Sequence, residues 1–148
     1  MNHKVIYPVI LEKTSNKKVP YIVILPDFDG MTQGYDLANA LYMAEDYISL
    51  TCVYLEDEGR ALPEPTPLNE VPVEEGQMRT LIVSDLDSYR AMLSNLTVRK
   101  NVTIPAWLNE AALKLDINFS KVLVDGLKKK IGISSKEELL PSVGKTPK

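Results

Sequence analysis

VRKNVTIPAW, Val98 to Trp107, is the stretch on which the reading of the fold turns. In an extended chain successive side chains alternate, so Arg99, Asn101 and Thr103 share one face and Lys100, Val102 and Ile104 share the other. Only the second face carries apolar residues. A strand built this way hides Val102 and Ile104 and presents an arginine, an amide and a hydroxyl in one outward row. The plain alternative is a solvent-facing edge strand that carries this row as decoration.

The residues downstream of the stretch weigh against decoration. Pro105 suits the first position of a helix in which Leu108, Ala111, Ala112 and Leu115 form an apolar stripe. Asp116 and Ile117 make a corner, Asn118 can N-cap a second helix carrying Val122, Leu123 and Leu127, and Gly132 is placed to end it. One strand and two helices in residues 99–133 are too few to bury a stable core alone. Two copies with their strands paired antiparallel would bury Val102, Ile104, Leu108, Leu115, Ile117, Val122 and Leu127 on one side. The other side would show Arg99, Asn101 and Thr103 twice. A two-stranded ribbon fits the DNA major groove, where Arg pairs with guanine, Asn with adenine, and Thr with several base edges or a thymine methyl. Lys128 to Lys130 add little, since lysines near a helix C-terminus are favoured by the helix dipole alone.

Upstream the pattern differs. Lys4 to Lys13 and Val19 to Pro26 are β-branched and aromatic runs split by the polar TSNKK, which predicts a β-hairpin. PDFDG supplies a turn and MTQG a short third strand. Asp36 is the N-cap expected for a helix in which Leu37, Ala40, Leu41, Ala44, Ile48, Cys52 and Leu55 recur at helical spacing, with Gly59 as its stop. The segment ALPEPTPLNEVPVEEGQ, residues 61–77, holds four prolines and should lie extended on the surface. Met78 to Leu86 reads as a strand and DSYRAMLSNLT as a connector. The order is β-β-β-α-β, an α+β domain with its long helix on one face of the sheet. The expected domain limits are 1–90, a linker at 91–98, a strand-helix-helix unit at 99–133 and a polar tail at 134–148.

The chain has 148 residues and a net charge of −3, but the charge is unevenly shared. Residues 1–98 carry 7 Lys and Arg against 15 Asp and Glu, or −8, and residues 99–148 carry 10 against 5, or +5. Such a split is expected when an acidic module meeting one partner is joined to a basic module meeting a polyanion. No apolar run approaches the roughly 20 residues of a membrane span, and the start MNHKVIYPV lacks the apolar stretch of a signal peptide, so a cytoplasmic location is expected. The single cysteine, Cys52, lies within a helical pattern and reads as a small core residue.

The segment RKNVTIPAWLNEAALKLDINFSKVLVDGLKKKIGI resembles a ribbon-helix-helix DNA-binding domain of the MetJ/Arc type. The resemblance makes Arg99, Asn101 and Thr103 the base readers. It makes the start of the second helix, Asn118, Phe119 and Ser120, a phosphate anchor, where backbone N–H groups and the helix dipole favour an anion. Phe119 departs from the small or polar residue often found there, which leaves the backbone role intact. The dimer core implied is Val102, Ile104, Leu108, Leu115, Val122 and Leu127. The upstream half, through YPVILEK, YIVILPDFDGMTQG, YDLANALYMAEDYI, LPEPT and MRTLIVSDL, is similar to the antitoxin HicB. That resemblance implies a partial RNase H-like domain that blocks a basic, messenger-RNA-cleaving toxin of the HicA type, joined to a domain that represses its own operon as a dimer on operator DNA. The acidic balance of residues 1–98 fits a module that meets a basic nuclease.

Two other functions compete. A ribbon-helix-helix regulator could carry an N-terminal domain that senses another ligand. A nuclease could gather Asp27, Asp29, Asp85 and Asp87 around Mg²⁺. Against the nuclease, Asp27 and Asp29 sit in a turn where Asp is common, Asp85 and Asp87 lie at a strand end, and a fold does not confer chemistry. His3, the only histidine, has no nucleophile or acid placed beside it by motif. The expectation is a binding protein with no catalysis, no metal and no cofactor.

Overall fold

The computed structural model describes residues 3–139, which form two compact units, residues 3–94 and Asn95–Leu139. The first is a four-stranded antiparallel sheet with helices against it. Strands β1 (Lys4–Lys13), β2 (Tyr21–Leu25) and β3 (Gly30–Gly34) run as a meander, and β4 (Gln77–Asp85) returns beside β1, so the sheet order is β3-β2-β1-β4. The register pairs Ile10 with Ile24, Tyr7 with Ile82 and Ile24 with Met31. Alternation along β1 turns Tyr7, Val9 and Leu11 toward helix α1 (Leu37–Asp57), where they meet Ala40, Ala44, Ile48, Cys52 and Val53 in one buried cluster.

Local chemistry sets the ends of α1. The Asp36 carboxylate accepts the Asn39 N–H at 2.7 Å, the N-cap expected from sequence. Gly59, at φ 70°, comes after the last turn in the left-handed region that favours glycine. Gly34 is needed for a different reason, because a Cβ there would run into the Ala40 backbone as the chain turns into the helix.

The proline-bearing segment is held more firmly than a surface strand of polyproline would be. The Tyr7 hydroxyl donates to the Pro63 carbonyl at 2.7 Å, and Thr66 donates its N–H and its hydroxyl to the Asp27 carboxylate at 3.1 and 2.6 Å. Arg79 donates to the Val71 carbonyl at 2.9 Å, and Val71 itself is buried.

DSYRAMLSNLT is the clearest departure from expectation. Its first part is helix α2 (Leu86–Leu93), opened by the Asp85 carboxylate, which accepts the Ser88 N–H at 3.1 Å. Leu86 and Tyr89, three positions apart, are buried with the α1 face. The first unit therefore ends at Ser94, past the limit of 90 drawn from sequence.

The second unit holds α3 (Ala106–Lys114) and α4 (Phe119–Ile131). Pro105 stands at the N-cap, one position earlier than expected, and its carbonyl accepts the N–H groups of Leu108 and Asn109. Asp116, at φ 52°, makes the corner. Asn118 caps α4 by accepting the Lys121 N–H at 3.0 Å, and Gly132, at φ 90°, closes it with an N–H donated to the Lys128 carbonyl. Residues 99–104, expected as a strand, carry no ladder, because a strand needs a neighbour and a single copy of this unit contains no other strand. The polar tail expected from Ser134 onward is described as far as Leu139, where it forms a short 3₁₀ turn over Lys136–Leu139; its remainder lies outside the described residues.

Two buried phenols make the first unit sensitive to alkali. Burial pushes the Tyr7 hydroxyl up to about 12, and burial with the nearby Asp46 carboxylate pushes Tyr89 up to about 12, against an ordinary 10.0. Both tyrosines support folding fully below pH 10. As pH rises from 10 through 12 the unfolded chain loses these protons while the folded chain retains them, so stability falls by about 1.4 kcal/mol per pH unit for each group. A spectroscopic titration of the seven tyrosines should show two phenolates appearing only as helical circular dichroism is lost. Ionisation of all seven in the still-folded protein would contradict this packing.

Candidate functional site

The outward row comes first. Arg99, Asn101 and Thr103 are exposed, and among the described residues their side chains take part in no hydrogen bond or ion pair. At the start of α4, helix geometry leaves the N–H groups of Phe119 and Ser120 without intrahelical acceptors, and the first turn contains no acidic side chain. The Asn118 side-chain oxygen is already engaged as the cap, so an anion at this end would be held by backbone N–H groups.

The apolar residues assigned to a dimer core are uncovered. Val102 is 66% exposed, Leu115 74% and Leu127 53%, while Ile104, Leu108 and Val122 are exposed as well. Neither α3 nor α4 has a single buried residue. Trp107, 72% exposed, and Leu113, Phe119, Val124 and Ile131 are exposed apolar residues too and were absent from the core read off the sequence. Trp107 and Leu108 are adjacent apolar positions at the start of α3, and Ile131 comes after Leu127 at helical spacing. So much exposed apolar surface on so small a unit is the mark of an interaction surface.

In the first unit the four aspartates considered for metal chemistry serve the fold individually. Asp27 is bonded to Thr66, Asp85 caps α2, Asp87 accepts the His3 N–H at 3.1 Å, and Asp29 occupies a left-handed position at the turn before β3. The Ser88 N–H bond holds the Asp85 carboxyl below its ordinary range. Among the described residues no three His, Cys, Asp or Glu side chains converge as a metal site. His3 is tied to Glu56 at 2.6 Å, and Glu56 also meets Arg90 at 3.3 Å, which links the start of β1 and the end of α1 to α2.

A cavity of about 130 Å³ lies between α1 and α2, lined by Tyr42, Glu45, Asp46 and Ser49 from the first helix and by Asp85, Ser88, Tyr89 and Met92 around the second. Sequence reasoning missed it, because four of its eight lining residues lie at the start of α2 or within the stretch read as a connector.

Residues 7–121 match the family described as HicB-like antitoxin of bacterial toxin-antitoxin systems. Among solved structures, a toxin-antitoxin complex from Streptococcus pneumoniae contains a chain 23% identical to this one. The match covers 86% of this chain and 99% of that one, with a TM-score of 0.57. The antitoxin HicB of Burkholderia pseudomallei is 19% identical, with 86% of this chain and 97% of that one covered and a TM-score of 0.49. A comparison with curated proteins returned no match.

Proposed function

Because the chain belongs to the HicB-like antitoxin family, we propose that it binds and neutralises a HicA-type, messenger-RNA-cleaving toxin and, as a dimer, represses its own operon. It acts by binding, with no catalysis and no cofactor, in the cytoplasm. No described helix is long and apolar enough to cross a membrane.

The observation that carries the reading is the contrast between the two units. Residues 3–94 close their own core around Tyr7, Val23, Ile48 and Leu86, and the charge of residues 1–98 is −8. That is a self-sufficient acidic surface, suited to meeting a basic protein. Asn95–Leu139 leaves every apolar side chain of α3 and α4 at least partly exposed and is basic. Pairing residues 99–104 of two copies antiparallel as a ribbon-helix-helix would cover Val102, Ile104, Leu108, Leu115, Val122 and Leu127 in one step. The same pairing sets Arg99, Asn101 and Thr103 of both copies side by side, at a width that enters the major groove, with backbone N–H groups of Phe119 and Ser120 available for phosphates. The partial RNase H-like reading of the first unit accords with its β-β-β-α-β order.

Truncation tests the division of labour. Deleting residues 99–148 should abolish repression of an operon reporter while the remaining chain still captures a co-expressed HicA-type toxin. A folded truncated chain that fails to capture it would mean that toxin binding needs both units.

A further inference from the structure

We propose that the cavity between α1 and α2 receives one arginine side chain of the basic protein this chain binds, with Glu45 and Asp46 pairing the guanidinium and Tyr42 and Tyr89 flanking its plane. The inference rests on the antitoxin reading and adds to it the place and chemistry of an anchor.

Size narrows the occupant first. Pockets for free metabolites and cofactors run from about 300 Å³ upward. At about 130 Å³ this one suits the end of a single side chain. Its chemistry narrows the occupant further. The lining offers carboxylates from Glu45, Asp46 and Asp85, rings from Tyr42 and Tyr89, the Met92 thioether, and no cationic residue. Among the described residues neither Glu45 nor Asp46 pairs with a Lys, Arg or His, although Glu56 and Asp57 on the same helix are both paired with Arg90.

Adjacent, half-buried carboxylates without a counter-charge repel each other. Burial, then the neighbouring Asp46, pushes the Glu45 carboxyl upward, and burial pushes Asp46 upward against the opposing hydrogen bond from the Tyr89 hydroxyl. A cation entering the cavity removes that conflict. Arginine fits better than lysine, because its planar, weakly hydrated guanidinium can stack on a phenol ring and take carboxylates along its edge at once. Aromatic and arginine anchors in desolvated pockets are also where binding energy concentrates at protein interfaces.

The position is well supported for such a role. Asp85 and Ser88 are fixed by the α2 cap, and Tyr89 is buried in the core, so the far wall is held in place before a partner arrives. On the near wall Tyr42, Glu45, Asp46 and Ser49 recur at three- and four-residue spacing along one face of α1.

The test uses the full chain and the HicA-type toxin it neutralises, with affinity measured by calorimetry. Glu45→Gln and Asp46→Asn keep the shape of the wall and remove its charge. Together they should weaken binding at least about tenfold, leave operator binding unchanged and not lower the thermal midpoint, since loss of a buried charge paired across an interface is costly. A double-mutant cycle should find one arginine of the partner whose replacement by alanine adds nothing further in the doubly substituted background. Unchanged affinity of the substituted chain overturns the pocket assignment and leaves the antitoxin reading standing. Losses that add independently for every partner arginine overturn it as well. Failure of the unsubstituted chain to bind the partner overturns both.

Discussion

Ile104→Asp should abolish folding of the second unit at every accessible protein concentration while the first unit stays native. Ile104 is 42% exposed in one chain, and neither α3 nor α4 has a buried residue to close a core over it. In the antiparallel ribbon it faces the shared core, so the substitution places two unpaired carboxylates in one small interior, each at a penalty of several kcal/mol. A unit that has no buried residue outside the dimer has no reserve with which to absorb this. The unsubstituted protein should unfold in two steps, and the midpoint of the step belonging to Asn95–Leu139 should rise with concentration, because dimerisation and folding are linked. Sedimentation and amide spectra check both. A monomeric Ile104→Asp chain with α3 and α4 intact would remove the ribbon, as would an unsubstituted chain that sediments as a folded monomer.

What could be read in the sequence was whatever a short stretch decides by itself. Asp36 and Asn118 are side chains that bond the backbone three residues ahead, and both cap the helices expected of them. Gly59 and Gly132 mark helix ends for the same local reason, through positive φ. The hairpin β1–β2 comes from alternation around a polar turn. Helix α2 was hidden because it is short and its signals are few: Asp85 three residues before Ser88, and Leu86 three before Tyr89, ahead of the polar run from Ser94 that reads as a connector. Losing α2 also lost the cavity. Tyr42, Glu45, Asp46 and Ser49 read as the wet side of α1 until a second helix is placed opposite them. The row at Arg99, Asn101 and Thr103 presents the reverse case. Its alternation is plain in the sequence, yet a strand is a pairing between two chain segments, and one copy of the unit supplies only one.

The second large effect is expected at Asn101. If its amide reads an adenine edge from the centre of the ribbon, Asn101→Ala removes about 1–3 kcal/mol for each contacted base, and the dimer presents the residue twice. Specific operator binding should therefore collapse by two or more orders of magnitude at the upper end of that range. Residual binding should keep most of its salt dependence, because that slope comes from Lys and Arg beside phosphates and an amide carries no charge. Lys128→Ala provides the contrast: if that lysine lies along the backbone, its loss weakens every sequence alike and flattens the slope. Asn101 lies outside the first unit and belongs to none of its core or cavity. Cells carrying Asn101→Ala should consequently overexpress the operon and still survive the toxin. The two failures separate the causes. Unchanged operator affinity and sequence preference would make the row at Arg99, Asn101 and Thr103 a solvated edge, whereas lost repression with lost toxin tolerance would mean that the substitution had damaged the fold rather than the reading of bases.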